Sequence, residues 1–99
     1  MELTILARLY AREGHEADVI AAMRDVSGPT RAEPGCIEVH YHRSIHDPRL
    51  FYVTSRWVDE AAFERHAGLP HTVRFVEAVE KVITEELRAA RTRPIDGIG

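Results

Sequence analysis

Residues 36–57 read CIEVHYHRSIHDPRLFYVTSRW, two strand-like stretches separated by a short turn. In the first stretch, apolar residues from Ile37 to Tyr41 alternate with polar ones, which is the period of a β-strand. The second stretch, Leu50–Trp57, is rich in aromatic and β-branched residues, as strands are. The turn His46-Asp47-Pro48-Arg49 suits a reversal, because proline fixes φ and the aspartate can bond its own backbone. The segment therefore predicts an antiparallel hairpin.

The chain before this hairpin predicts one strand and one helix. Residues 3–10 alternate with a period of two, which predicts a strand. From Glu16 onward the apolar residues fall at helical spacing, which predicts an amphipathic helix over about 16–27. We expect Ser27-Gly28-Pro29 to end it, because glycine suits the C-cap and proline cannot continue a helix.

The chain after the hairpin predicts two helices and a last strand. Asp59 is a good N-cap for a short helix through Ala67, which Gly68 would end, and Pro70 suits the first residue of another helix to about 82. A strand is expected near 83–90. We expect the tail 91–99 to be loose or held by a partner.

The predicted order β-α-β-β-α-β defines the fold class. It is α+β, the ferredoxin-like split βαβ arrangement, in a single domain over 1–99 whose helices cover one face of the sheet. The other face would carry Leu6, Tyr10 and Tyr52 beside charged residues. A small domain with a half-apolar bare sheet usually pairs through it, so we expect a homodimer.

Composition excludes several classes of protein. The net charge of −3, with both signs interspersed, lacks the footprint of a nucleic-acid-binding protein. No apolar run is long enough to span a membrane, and no secretory leader is evident, so we expect a cytoplasmic protein. The single Cys36 excludes an intrachain disulfide. Asn and Gln are both absent, so no side-chain amide takes part in the function.

Several motifs together resemble the antibiotic biosynthesis monooxygenase family over nearly the whole chain. They are the turn Glu33-Pro34-Gly35-Cys36, the strand ending at Trp57, His66 nine positions later, and Pro70-His71. The family pattern has a glutamate two residues before the tryptophan, where this sequence has Ser55.

The resemblance implies a dimeric α+β barrel with one pocket per protomer between sheet and helices. It implies oxygenation of a small aromatic or quinol-type substrate by O2, with no metal or other cofactor. Haem-degrading members of the family use an asparagine, and this chain contains none.

The resemblance and the pattern together indicate the candidate site residues. His66 and His71 are the candidate acid–base residues, because a base that deprotonates a phenol lets the electron-rich anion reduce O2. His66 lies three residues after an apolar helix position, and His71 falls in the first turn of the next helix, where the dipole favours a neutral imidazole. The candidate pocket residues are Phe51, Ser55, Trp57, Phe63 and Phe75.

Other interpretations fit the same residues. The chain could be a non-oxidative isomerase that uses the same histidines, a module that binds a small ligand without chemistry, or a structural dimer without a ligand. Glu38, His40 and His42 share one strand face and could bind a divalent metal, or they could form an ordinary polar face.

Overall fold

The computed structural model describes residues 1–98 and contains four strands and three helices. In chain order these are β1 (Leu3–Tyr10), α1 (Glu16–Arg31), β2 (Cys36–Arg43), β3 (Leu50–Trp57), α2 (Glu60–Gly68), α3 (Pro70–Glu80) and β4 (Arg88–Thr92). The sheet has the order β2-β3-β1-β4, and every neighbouring pair is antiparallel. The ferredoxin-like α+β class and the central hairpin are therefore confirmed.

Helix starts follow the local chemistry of the sequence. The Asp59 carboxylate accepts a hydrogen bond from the Ala62 N–H at 2.8 Å, which caps the first turn of α2. Pro70 opens α3, and Leu69 before it has the extended backbone that a residue preceding proline prefers. These two starts place His66 in the last turn of α2 and His71 in the first turn of α3.

Helix α1 continues past the residues that were predicted to end it, so the predicted boundary near 27 was wrong. Pro29 lies inside the helix, where its ring removes one backbone hydrogen bond. Gly28 has no Cβ to clash with that ring. Thr30 is buried, and the Arg31 guanidinium donates to the Val39 carbonyl at 2.9 Å. Tertiary contacts thus hold a last turn that local sequence disfavours.

The last strand begins later than the sequence predicted. The expected strand near 83–90 is replaced by β4 over Arg88–Thr92, while Ile83 forms an isolated bridge to Ala11. Residues 91 and 92, predicted to belong to the tail, are part of the sheet. Arg91 also pairs with Glu60 and Glu64 of α2, so pairing with β1 and a helix contact decide where this strand lies.

The sheet has one covered face and one open face. Leu3, Ile5 and Leu9 of β1 are buried under the helices. On the open face Leu6 and Tyr52 remain 48% and 40% exposed. The homodimer through this face stays a prediction.

Candidate active site

A cavity of about 180 Å³ lies between the sheet and the helices. Most of the residues that line this cavity are apolar, and only a few polar side chains reach it. Its lining includes Trp57, Phe63, His66, Phe75, Tyr41 and Ser55. Four of the five predicted pocket residues, namely Ser55, Trp57, Phe63 and Phe75, therefore line one cavity together with His66.

The indole of Trp57 forms the buried aromatic wall of the site. Only 1% of Trp57 is exposed, and its Nε1–H donates to the Ser55 hydroxyl at 3.0 Å. The Trp57 ring lies 4.6 Å from the His66 ring and 5.8 Å, edge-on, from the Phe63 ring (centroid distances). Ser55 thus satisfies the one polar atom of an otherwise apolar wall. The aromatic rings in turn fix the plane of the His66 imidazole.

A single carboxylate joins the two candidate histidines. Glu33 Oε2 lies 2.7 Å from His66 Nδ1 and 2.7 Å from His71 Nε2. Because a carboxylate oxygen only accepts, each of these ring nitrogens is assigned as the donor. The Thr72 hydroxyl lies 3.2 Å from the same nitrogen of His66. The side chains of Glu33, His66 and His71 are only 10%, 14% and 17% exposed. Because these charge-assisted hydrogen bonds are largely shielded from solvent, they fix the orientation of both imidazole rings.

Glu33 is positioned by the turn that carries it. Its N–H donates to the Thr30 carbonyl at 3.1 Å, and its own carbonyl accepts from the Cys36 N–H at 3.0 Å. Gly35, in the same turn, packs directly against Ala62 of α2. The turn between α1 and β2 is therefore in direct packing contact with the helix that carries His66.

Two of the predicted site residues do not line the cavity. Phe51, expected as a pocket wall, is instead buried in the core with Leu9, Val19 and Val79. Phe51 lies nearer the turn end of β3 than Val53, Ser55 and Trp57, which line the cavity. The prediction that these residues share one strand face was correct, but the prediction that Phe51 reaches the cavity was wrong. His71 is linked to the site through Glu33, and its ring centroid lies 6.1 Å from that of His66.

Sequence reasoning missed Glu33 and Tyr41 as site residues. Glu33 belongs to the turn motif that carried the family resemblance, but nothing local shows that its carboxylate reaches residues 33 and 38 positions away. Tyr41 lines the cavity from β2, and burial raises the pKa of its phenol. Its inward position follows from the strand alternation, which could have identified it.

The suggested metal group on β2 is not assembled as a shared site. His40 Nε2 and Glu38 Oε2 are 3.9 Å apart, and the His40 and His42 rings are 6.3 Å apart between centroids. Among residues 1–98, the donors close enough to share one ion are instead Glu33, His66 and His71, whose ligand atoms lie within 4.8 Å of one another.

The fold and the cavity define a class, a ferredoxin-like α+β domain with a histidine-bearing apolar pocket. The sequence profile described as antibiotic biosynthesis monooxygenase matches residues 3–78. This chain belongs to that family. None of the helices within residues 1–98 is long and apolar enough to cross a membrane.

Similar proteins have nearly the same length. PA3566 from Pseudomonas aeruginosa is 32% identical, spans 95% of this chain and 94% of its own, and superposes with a TM-score of 0.87. Rv0793 from Mycobacterium tuberculosis is 24% identical over 94 residues, which are 95% of this chain and 92% of the relative. Its structure gives a TM-score of 0.92 over 100% of both chains, at 22% identity.

Proposed function

We propose that the chain is a monooxygenase that needs no cofactor and oxidises a single-ring phenol or quinol with O2. The observation that carries this proposal is His66 at the wall of an apolar cavity, with its ring hydrogen-bonded to the Glu33 carboxylate. Cavities of about 150 Å³ lined by apolar side chains accept benzene. At about 180 Å³ this cavity suits one substituted ring better than a fused polycycle.

Glu33 determines which nitrogen of His66 can act as a base. Because His66 Nδ1–H donates to the Glu33 carboxylate, Nε2 is the nitrogen that carries the lone pair. The same carboxylate stabilises the imidazolium that forms when Nε2 accepts a proton, as the acid of a catalytic triad does. Position 55, where the family pattern has a glutamate, is a serine here, and Glu33 is the carboxylate that contacts His66 in this chain.

The reaction balances with O2 as the sole co-reactant. A hydroquinone hydroxyl gives its proton to His66 Nε2, and the resulting anion passes one electron to O2. The two radicals combine to form a C–O bond, and the His66 imidazolium returns its proton to the peroxide, which gives a hydroperoxide. The O–O bond then breaks as the ring carbon loses its hydrogen and water leaves. The products are a hydroxyquinone and water, and the substrate supplies all the electrons. The apolar walls exclude water from the reactive anion.

Oxygen uptake with single-ring hydroquinones tests this proposal. We expect His66→Ala to lower kcat by about 10²–10⁴-fold, the usual contribution of a general base. Glu33→Gln should lower kcat with little change in KM, because it acts through His66. His40→Ala, on the open face, is the matched control and should leave the rate unchanged. No uptake above background, or an unchanged rate in His66→Ala, would refute the proposal.

Ligand binding without chemistry is the second candidate, favoured by the mainly apolar cavity wall. In that case the ring compound would bind and be recovered unaltered after incubation in air. Turnover under anaerobic conditions would instead identify the non-oxidative isomerase.

We also propose that the chain forms a homodimer through the open face of its sheet. Leu6 pairs with Thr54 and Arg8 pairs with Tyr52 across β1 and β3, so the exposed Leu6 and Tyr52 are close neighbours on the open face. A second copy would cover both side chains.

A further inference from the structure

We infer that Glu33, His66 and His71 form a binding site for a divalent transition-metal ion of the Zn²⁺ type, and that the bound ion blocks the base function of His66. The binding part is independent of the proposed reaction. The inhibitory part rests on the proposed function.

Three donor atoms from three separate elements converge on one point. Glu33 comes from the turn after α1, His66 from the end of α2 and His71 from the start of α3. Their ligand atoms lie within 4.8 Å of one another, with both nitrogens 2.7 Å from the same carboxylate oxygen. Because the elements and the turn are already packed, little conformational entropy remains to be lost on binding.

The donor chemistry is that of a zinc site with one open position. Imidazole nitrogen and carboxylate oxygen are ordinary Zn²⁺ ligands, and three protein ligands plus water is a common arrangement. Tetrahedral bonds of about 2.0–2.2 Å place neighbouring ligand atoms roughly 3.3–3.6 Å apart. The two nitrogen–oxygen separations of 2.7 Å therefore need to widen by roughly 0.6–0.9 Å on binding, and the two ring nitrogens already lie within 4.8 Å of each other.

The metal would use the atom of His66 that now donates to Glu33. Coordination through Nδ1 requires that nitrogen to present its lone pair, so the ring proton must move to Nε2. An imidazole protonated at Nε2 cannot accept the substrate proton there. Occupation of the site is thus incompatible with the base role of His66, and the ion would act as an inhibitor.

Zn²⁺ binding to tag-free, chelator-treated protein tests the site directly by titration calorimetry. We expect one Zn²⁺ per chain. Because loss of an outer-shell partner already costs 10–100-fold in affinity, loss of a ligand should weaken binding by more than about 100-fold in His66→Ala and in His71→Ala. Glu33→Gln keeps the side-chain shape and removes the charge, so it shows a loss of affinity even if an alanine variant folds poorly.

The chain contains its own matched control for surface histidines. His40→Ala/His42→Ala removes two histidines from the exposed strand face, beside Glu38, and should leave Zn²⁺ affinity unchanged. Absence of binding to the wild type would overturn the inference. So would loss of binding in this control with retention in the His71→Ala and Glu33→Gln variants.

Oxygen uptake measured with and without Zn²⁺ tests the inhibitory part. We expect activity to fall as the site fills and to return when a chelator is added. Stoichiometric binding with undiminished activity would overturn the inhibition alone. If no hydroquinone is turned over, the proposed function fails, whereas the calorimetry still decides whether the metal binds.

Discussion

Gly35→Ala is expected to destabilise the protein through a single contact. A Cβ at position 35 would lie 2.3 Å from the Ala62 Cβ and 3.5 Å from both the Ala62 Cα and a Val58 methyl group. Carbon atoms in contact prefer about 3.5–4.0 Å, so the first contact is too close by more than about 1 Å. Ala62 is 2% exposed and its short side chain cannot turn away.

The size of this destabilisation depends on which part of the structure must shift to relieve the clash. Either α2 or the turn carrying Glu33 must shift, and overpacking of this kind costs about 1–3 kcal/mol. With a clash against helix Cβ we expect the upper part of that range, about 2–3 kcal/mol. For a domain of this size that lowers Tm by roughly 10–20 °C. His66 lies one turn after Ala62 on α2, so the Glu33–His66 bond should be disturbed as well.

A double-mutant cycle read by urea unfolding provides the assay. Ala62→Gly alone should cost about 2 kcal/mol, from a lost buried methyl and a glycine in a helix. In Gly35→Ala/Ala62→Gly the new methyl fills that space, so the double variant should lose only about 1 kcal/mol and exceed both single variants in stability. Gly68→Ala is the control, because Gly68 is a helical residue of α2 whose added Cβ would meet nothing within 4 Å. It should leave the free energy of unfolding unchanged or raise it by up to about 1 kcal/mol. A neutral Gly35→Ala, or a double variant no more stable than Gly35→Ala, would show the reasoning to be wrong.

Three further predictions concern separate features. Ser55→Ala leaves the buried Trp57 indole N–H without its acceptor and should lower the free energy of unfolding by about 1–3 kcal/mol, measured by urea titration; an unchanged midpoint would contradict this. Leu6→Glu places a charge on the open face and should yield monomers in sedimentation, whereas Ile45→Glu, at a 93% exposed loop position, should not; a dimer in both variants would place the interface elsewhere. Gly14 has φ +85, so Gly14→Ala should cost about 1 kcal/mol in thermal unfolding despite open space around it.

Local sequence patterns predicted helix starts and strand faces correctly, because these features depend on residues that are close together in the chain. The capping aspartate Asp59 and the helix-opening Pro70 act within a few residues, and both behave as predicted. The period of two in β1 and β3 set the sheet faces correctly. Helix α1 departs from its pattern because tertiary contacts of its last turn, among them the Arg31–Val39 bond, outweigh the proline at 29.

For the candidate site, too, local patterns predicted the directions of side chains but not the extent of the cavity. That Trp57, Phe63 and His66 point inward followed from helix and strand periodicity. That Phe51 misses the cavity depends on how far the helices reach along β3, which no local pattern encodes.

By itself, the sequence determined the element order, the hairpin, the inward aromatic face and the family to which the chain belongs. Only the tertiary structure decided that Glu33 meets both His66 and His71. That meeting joins side chains 33 and 38 positions apart in the chain. The physical reason is that a hydrogen bond needs atoms within a few tenths of an ångström of the right distance. Such precision depends on how the α1–β2 turn and two helices pack together, and not on the residue types alone.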